Sequence, residues 1–143
     1  MTHVLVDTSV LIKWFHEEGE PELVEARAIR DAHVAGNLDA HMLDLAVYEV
    51  GNVLSRALRW GPDDVADQLE DLAVIAGPPL VMSQAWLRAA AQLSQVHGLS
   101  YYDACWAAAA SALQIPLISA DRQLLAAGLA QSASDCVSGL RLV

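Results

Sequence analysis

Lysine is all but missing from this chain, and cations of any kind are scarce. The 143 residues hold 8 Lys+Arg against 18 Asp+Glu, for a formal net charge of -10, and Lys13 is the one lysine. That shortage excludes a basic nucleic-acid clamp, whose affinity comes from many Lys and Arg neutralising phosphates. It argues equally against a binder of anionic membranes. Cysteine is scarce too. Cys105 and Cys136 stand alone with no C-x-x-C and no metal-ligand spacing, which excludes a disulfide-stapled domain and leaves two reduced, buried thiols as the expectation. The five histidines, His3, His16, His33, His41 and His97, show no paired ligand spacing, so nothing points to zinc. No repeat, low-complexity tract or Gly/Ser linker interrupts the chain, so residues 1–143 are expected to form one domain.

Long apolar runs are also lacking. The most apolar window, Ala104 to Ala120, contains Ser111, Gln114 and Pro116 and falls short of the ~20 apolar residues of a membrane span. The start of the chain has no cationic leader, and Asp7 breaks its apolar stretch, unlike a signal peptide. A protein that is soluble, cytoplasmic and free of the membrane is expected. What is present is core material: hydrophobic residues make up 55% and charged residues only 18%, which excludes disorder.

The apolar pattern alternates short strands with helices. Val4-Leu5-Val6 reads as a central parallel strand, with further strands at Leu38–His41, Leu80-Val81 and Pro116–Ser119, and a candidate edge strand at Leu140–Val143. Helices are expected over Thr8–His16, Glu22–Ala35, Leu43–Leu58, Asp63–Ile75, Gln84–His97, Ser100–Leu113 and Asp121–Ala127, several closed by Gly or Gly-Pro. This order predicts an α/β fold with a short, mainly parallel sheet covered on both faces. Ligands of such sheets bind beyond the carboxyl ends of the strands, which draws attention to Asp7 and Asp121.

Four acids carry the chemistry. Asp7 and Asp121 each follow a strand and precede a helix, so each also fits a helix N-cap. Asp103 fits the third position of a capping box begun by Ser100. Asp44 looks like a plain N-cap. Glu49 lies in mid-helix, where capping cannot explain it. It shares a stripe with Leu45 and Val53, and a polar cluster with Asn52 and Arg56 is the alternative to a functional role. If the four converge, they form an oxygen-rich site with no cation from the chain. Their mutual repulsion would raise one another's pKa, and a hard divalent cation such as Mg²⁺ resolves it. Such an ion polarises phosphoryl oxygen, activates water and stabilises a leaving oxygen, which suits phosphodiester hydrolysis.

Four motifs in order, Asp7 through Phe15, Tyr48 through Leu54, Tyr101 through Ala104 and Ser119 through Arg122, resemble the PIN-domain family and within it VapC-like toxins of toxin–antitoxin pairs. The resemblance implies a three-layer α/β/α sandwich and a ribonuclease dependent on Mg²⁺, with Mn²⁺ as a substitute. Asp7, Glu49, Asp103 and Asp121 match the family's acidic, metal-holding positions. Ser9 matches a hydroxyl near the first acid, Ser119 stands where the family often has threonine, and Asn52 matches a position that supports the glutamate. Arg122, adjoining Asp121, is a candidate for contact with the RNA backbone. The resemblance also implies a homodimer, cleavage of a structured RNA such as tRNA or rRNA, and inhibition by a cognate VapB-like antitoxin through which the complex reaches DNA. A PIN domain without catalysis, serving as a binding module, is the competing reading.

Other fits fail or carry less. A receiver-type phosphoacceptor needs an acidic pair after the first strand and a late lysine, and a dehalogenase-type phosphatase needs D-x-D; Asp7-Thr8-Ser9 meets neither. Core packing is the usual role of tryptophan; because Trp14 and Trp60 flank polar or turn segments, a place at a partner interface is the alternative expectation for these two. Glu17, Glu18, Glu20 and Glu22 form an acidic loop, read as a solvated connection or as a contact for a basic antitoxin. Cys105 is read as a packed small hydrophobe.

Overall fold

The structure, a computed structural model, describes residues 1–17, 19 and 21–141. Strand β1 (His3–Val6) lies between β2 (Asp39–His41) and β3 (Leu117–Ile118), and both pairings are parallel. Leu5 faces His41 on one side and Leu117 on the other. Val4, Leu5 and Val6 are all buried, as befits a central strand covered on both faces.

The helices are α1 (Thr8–Leu11), which continues into a 3₁₀ turn at Ile12–Trp14, α2 (Leu23–Val34), α3 (Leu45–Asn52), which loosens into a π-helical turn at Val53–Ala57, α4 (Pro62–Ala76), α5 (Gln84–His97), α6 (Tyr101–Leu113), α7 (Arg122–Ala126) and α8 (Ala133–Leu140). They flank the parallel sheet in the α/β arrangement expected. Helix α6 packs against β1 and β3 and is covered in turn by α5. Seven successive residues, Ala104 to Ala110, are therefore buried. A helix enclosed on all sides must be apolar all round, and alanine lets the strands and α5 approach closely.

The start of α6 is set by Ser100, whose hydroxyl accepts from the Asp103 backbone N–H. This cap fixes the turn that carries Asp103. Ser100→Ala is expected to cost about 1 kcal/mol, read as a shift in the urea midpoint with unchanged slope.

Two strand expectations are corrected. Leu80 makes a single parallel bridge to Leu43, while Val81 is 69% exposed. Pro78 and Pro79 bring no N–H to a ladder, and the cap of α5 at Ser83 follows at once, so no length remains for a strand. Leu140 ends a helix rather than beginning an edge strand. Leu142 and Val143 lie outside the described residues. The Ser132 hydroxyl accepts from the Asp135 N–H at the start of α8, and this S-x-x-D spacing was legible in the sequence. Among the described residues, no helix is long and apolar enough to cross a membrane.

Candidate functional site

Asp7 sits just past the carboxyl end of β1 and caps α1, accepting from the Ser9 backbone N–H at 3.1 Å. It is also a buried acid with two further partners. The Ser9 hydroxyl donates to Oδ1 and the Ser119 hydroxyl donates to Oδ2. Each serine is also an acceptor: Ser119 Oγ takes the Asp121 N–H at 3.0 Å and Ser9 Oγ takes the Ala120 N–H at 2.9 Å. The turn after β1 is thereby tied to the turn after β3, although the two are separated by more than a hundred residues.

Asp7 is only 4% exposed. Its hydrogen bonds favour the carboxylate, but loss of hydration outweighs them, and the charge of Asp103 adds to the effect. The result is a pKa pushed up to about 6. Burial also raises the pKa of Asp103, with the charge of Asp121 pushing the same way. Asp121 caps α7, accepting from the Leu124 N–H with one oxygen. The capping readings of Asp7 and Asp121 therefore hold together with their place in the cleft. Asp44 ends up at the start of α3 without a side-chain capping bond.

Glu49 reaches the same place from α3. Its Oε1 accepts from Thr8 Oγ1 at 3.0 Å and from Trp106 Nε1 at 3.2 Å. These hydrogen-bond partners come from α1 and α6, whereas Asn52 and Arg56, the polar neighbours on the glutamate's own helix, are exposed. Trp106 lies three residues after Asp103, on the same side of α6, which is the one sequence signal that could have singled it out. Thr8 and Trp106, the hydrogen-bond donors to Glu49, are site residues that spacing in the sequence did not single out.

Asp7, Glu49, Asp103 and Asp121 line one cleft of about 490 Å³, with Thr8, Ser9 and Trp106 in its walls. A second correction concerns charge. The sequence suggested no cation from the chain, yet Lys13, 2% exposed, also lines the cleft. Arg122 is exposed beside Asp121 and is not part of the lining. Trp14 is 3% exposed and belongs to the core, which overturns its expected place at an interface; Trp60 is half-buried. Cys105 is buried, and burial together with the charge of Glu49 raises its thiol pKa. It stays a neutral packing group rather than a thiolate nucleophile. In the acidic loop, Glu17 pairs with Arg27 at 3.2 Å and Glu22 accepts from the Ser134 N–H; Glu18 and Glu20 lie outside the described residues.

Four acids facing one cleft, two with raised pKa values, are a donor set suited to a hard divalent cation. Neutralising charge there would favour the carboxylate forms that burial and repulsion oppose. The acids do not close on a single point: no three of them bring carboxylate oxygens within 4.8 Å of one another among the described residues.

Comparison with known proteins identifies the family. The family model described as PIN domain matches residues 4–128, a span that takes in all four acids. A curated relative, "Ribonuclease VapC3" of Pyrobaculum aerophilum, is 34% identical over 125 residues, covering 85% of this chain and 91% of the relative. The crystal structure of PAE2754 from Pyrobaculum aerophilum superposes with a TM-score of 0.68 at 26% identity, covering 99% of this chain and 96% of that one. A toxin–antitoxin complex from Klebsiella pneumoniae shares the fold at a TM-score of 0.65 and 19% identity, over 91% of this chain and 97% of that one. With the family match taking in the sheet, α1 to α7 and the acidic cleft alike, the chain belongs to the PIN-domain family.

Proposed function

We propose that residues 1–143 act as a single PIN unit, a metal-dependent ribonuclease of the toxin–antitoxin type. The observation that carries this reading is the convergence of Asp7, Glu49, Asp103 and Asp121 on one cleft from four separate parts of the chain. A 34% identical relative named as a ribonuclease, and fold neighbours solved as toxin–antitoxin assemblies, support it. Mg²⁺ is the proposed ion, with Mn²⁺ as a substitute, because the donors are carboxylates and carry no sulfur or imidazole. When bound, the ion supplies Lewis acidity to the phosphoryl oxygen and lowers the pKa of water.

The chain's own residues do the positioning. Asp7 and Asp103 hold the ion in this reading, with Glu49 and Asp121 completing the acidic set. Ser9 and Ser119 fix both oxygens of Asp7, and Thr8 and Trp106 fix one oxygen of Glu49. The exposed Arg122 offers the RNA backbone a cation at the rim. A structured RNA, tRNA or rRNA, is the proposed substrate, because a protein with a net charge of -10 holds single strands weakly without a shape to recognise. The proposed partners are a second copy of this chain and a VapB-like antitoxin that brings the complex to DNA. The proposed location is the cytoplasm.

Incubation of the purified protein with total cellular RNA, in Mg²⁺ and in EDTA, tests the reading. Discrete cleavage products in Mg²⁺ alone are expected. Intact RNA under both conditions would overturn it in favour of a binding module. Trp106→Phe gives a finer test, since it keeps most of the packing and removes the indole donor from Glu49. It is expected to slow cleavage about 10–100-fold, the usual scale for a group that orients a metal ligand, and an unchanged rate would show that Glu49 needs no such support.

A further inference from the structure

A second cluster of ligand atoms lies at the amino-terminal end of β1, the end away from the acidic cleft. His3 is paired in register with Asp39 on β2, and His41 follows Asp39 by two residues, so all three stand on one face of the sheet. His3 Nδ1 is 3.0 Å from His41 Nε2, His3 Nδ1 is 3.5 Å from Asp39 Oδ2, and His41 Nε2 is 3.6 Å from the same oxygen. A triangle with these sides has a circumradius of about 2.0 Å, which is the length of a zinc–nitrogen or zinc–carboxylate bond. Among the described residues this is the one group of three or more His, Cys, Asp or Glu whose donor atoms come within 4.8 Å of one another. The histidines show no paired ligand spacing along the chain; His3 and His41 come together only because β1 and β2 pair.

We propose that His3, Asp39 and His41 form a separate binding site for one Zn²⁺ ion. Two imidazole nitrogens and one carboxylate oxygen select a borderline ion such as Zn²⁺ over Mg²⁺, which prefers oxygen alone. The donors are partly open to solvent, with side-chain exposures of 47%, 38% and 30% for His3, Asp39 and His41, so an ion can enter and water can fill the fourth position. Each ring has to turn to bring its lone pair from the facing nitrogen onto the centre. A nearby histidine, His33, is not available as a ligand: its Nδ1 accepts from the Ala40 N–H and its Nε2 bonds the Ile75 carbonyl. The ion would join β1 to the three-residue edge strand β2, and so tie down one edge of the sheet beside the ladder. The site shares no residue with the acidic cleft and does not depend on the proposed nuclease activity.

The test is calorimetric titration of the metal-stripped, tag-free chain with ZnCl₂ in excess Mg²⁺, paired with thermal melts. Wild type is expected to take one equivalent of Zn²⁺ and melt at a higher temperature with it. His3→Gln combined with His41→Gln is expected to lose that equivalent and the shift, and Asp103→Asn to keep both. The single variant Asp39→Asn, which leaves the two imidazoles in place, is expected to bind Zn²⁺ at least about 10-fold more weakly. Any other pattern overturns the proposal: no binding by wild type, retention by the double glutamine variant, or loss in Asp103→Asn.

Discussion

Asp7→Asn is expected to reduce RNA cleavage by more than about 100-fold, beyond the range for groups that only orient a ligand, and to make the metal-free protein more stable at neutral pH. The two effects have one origin. Asp7 is buried, and the same burial that makes it a strong candidate ligand leaves its charge poorly hydrated, with a pKa raised from 3.8 to about 6. An acid whose folded-state pKa is raised binds a proton more readily folded than unfolded. Its contribution is therefore fully favourable below the unfolded value and is lost as pH climbs through about 6. At neutral pH the wild-type chain carries that cost, and asparagine removes it. The gain is roughly 2 kcal/mol, since each pKa unit corresponds to about 1.4 kcal/mol and the hydrogen bonds from Ser9 and Ser119 are partly rebuilt around an amide. Full activity in this variant would remove Asp7 from the site. A metal-free variant no more stable than wild type in urea would show that the serines, not burial, dominate the energetics of Asp7.

Metal removal should have the second large effect. With Mg²⁺ at about 100 times its dissociation constant, mass action stabilises the fold by about 2.7 kcal/mol, which moves the melting temperature by roughly 5–10 °C in a chain of this length. The effect depends on pH in a stated direction. Without metal, stability falls as pH rises through the window set by Asp7, and the raised pKa of Asp103 acts in the same sense. With Mg²⁺ the slope reverses, because ligation requires deprotonated carboxylates and grows as protons leave. Melting curves across that window, with Mg²⁺ and with EDTA, read both slopes. Coincident curves at neutral pH would mean that the cleft holds no divalent ion.

How much of this was legible beforehand depends on the range of each signal. The cap of α6 at Ser100, the strand ahead of Asp7 and the helix after Asp121 all rest on residues within four positions of one another, and each stands where the pattern placed it. The same local signal exists for α8 in Ser132 and Asp135. Leu80-Val81 misled because an apolar pair beside Pro78-Pro79 has strand composition but no free length for a ladder. Glu49 shows the boundary most clearly. Its mid-helix position marked it as an acid needing an explanation, but its partners, Thr8 and Trp106, sit 41 and 57 residues away. Periodicity offered only the neighbours on its own helix, Asn52 and Arg56, and both are exposed.

The acidic balance was settled by composition alone. Most of the strand–helix alternation followed from the order of the apolar pattern, because burial of a sheet on two faces demands short apolar runs. The four acids could also be named from sequence, since three occupy strand ends or first helical turns and one lies where no cap is needed. Tertiary structure decided which of them meet and what each meeting costs. It brought Ser119 to Asp7 across 112 residues, placed Lys13 in the cleft wall, moved Trp14 into the core and set two histidines from different strands 3.0 Å apart. Charge is a sum and can be counted along a chain. Burial and proximity are properties of the fold, and they turn the same carboxylates from surface charges into a cleft that favours a cation.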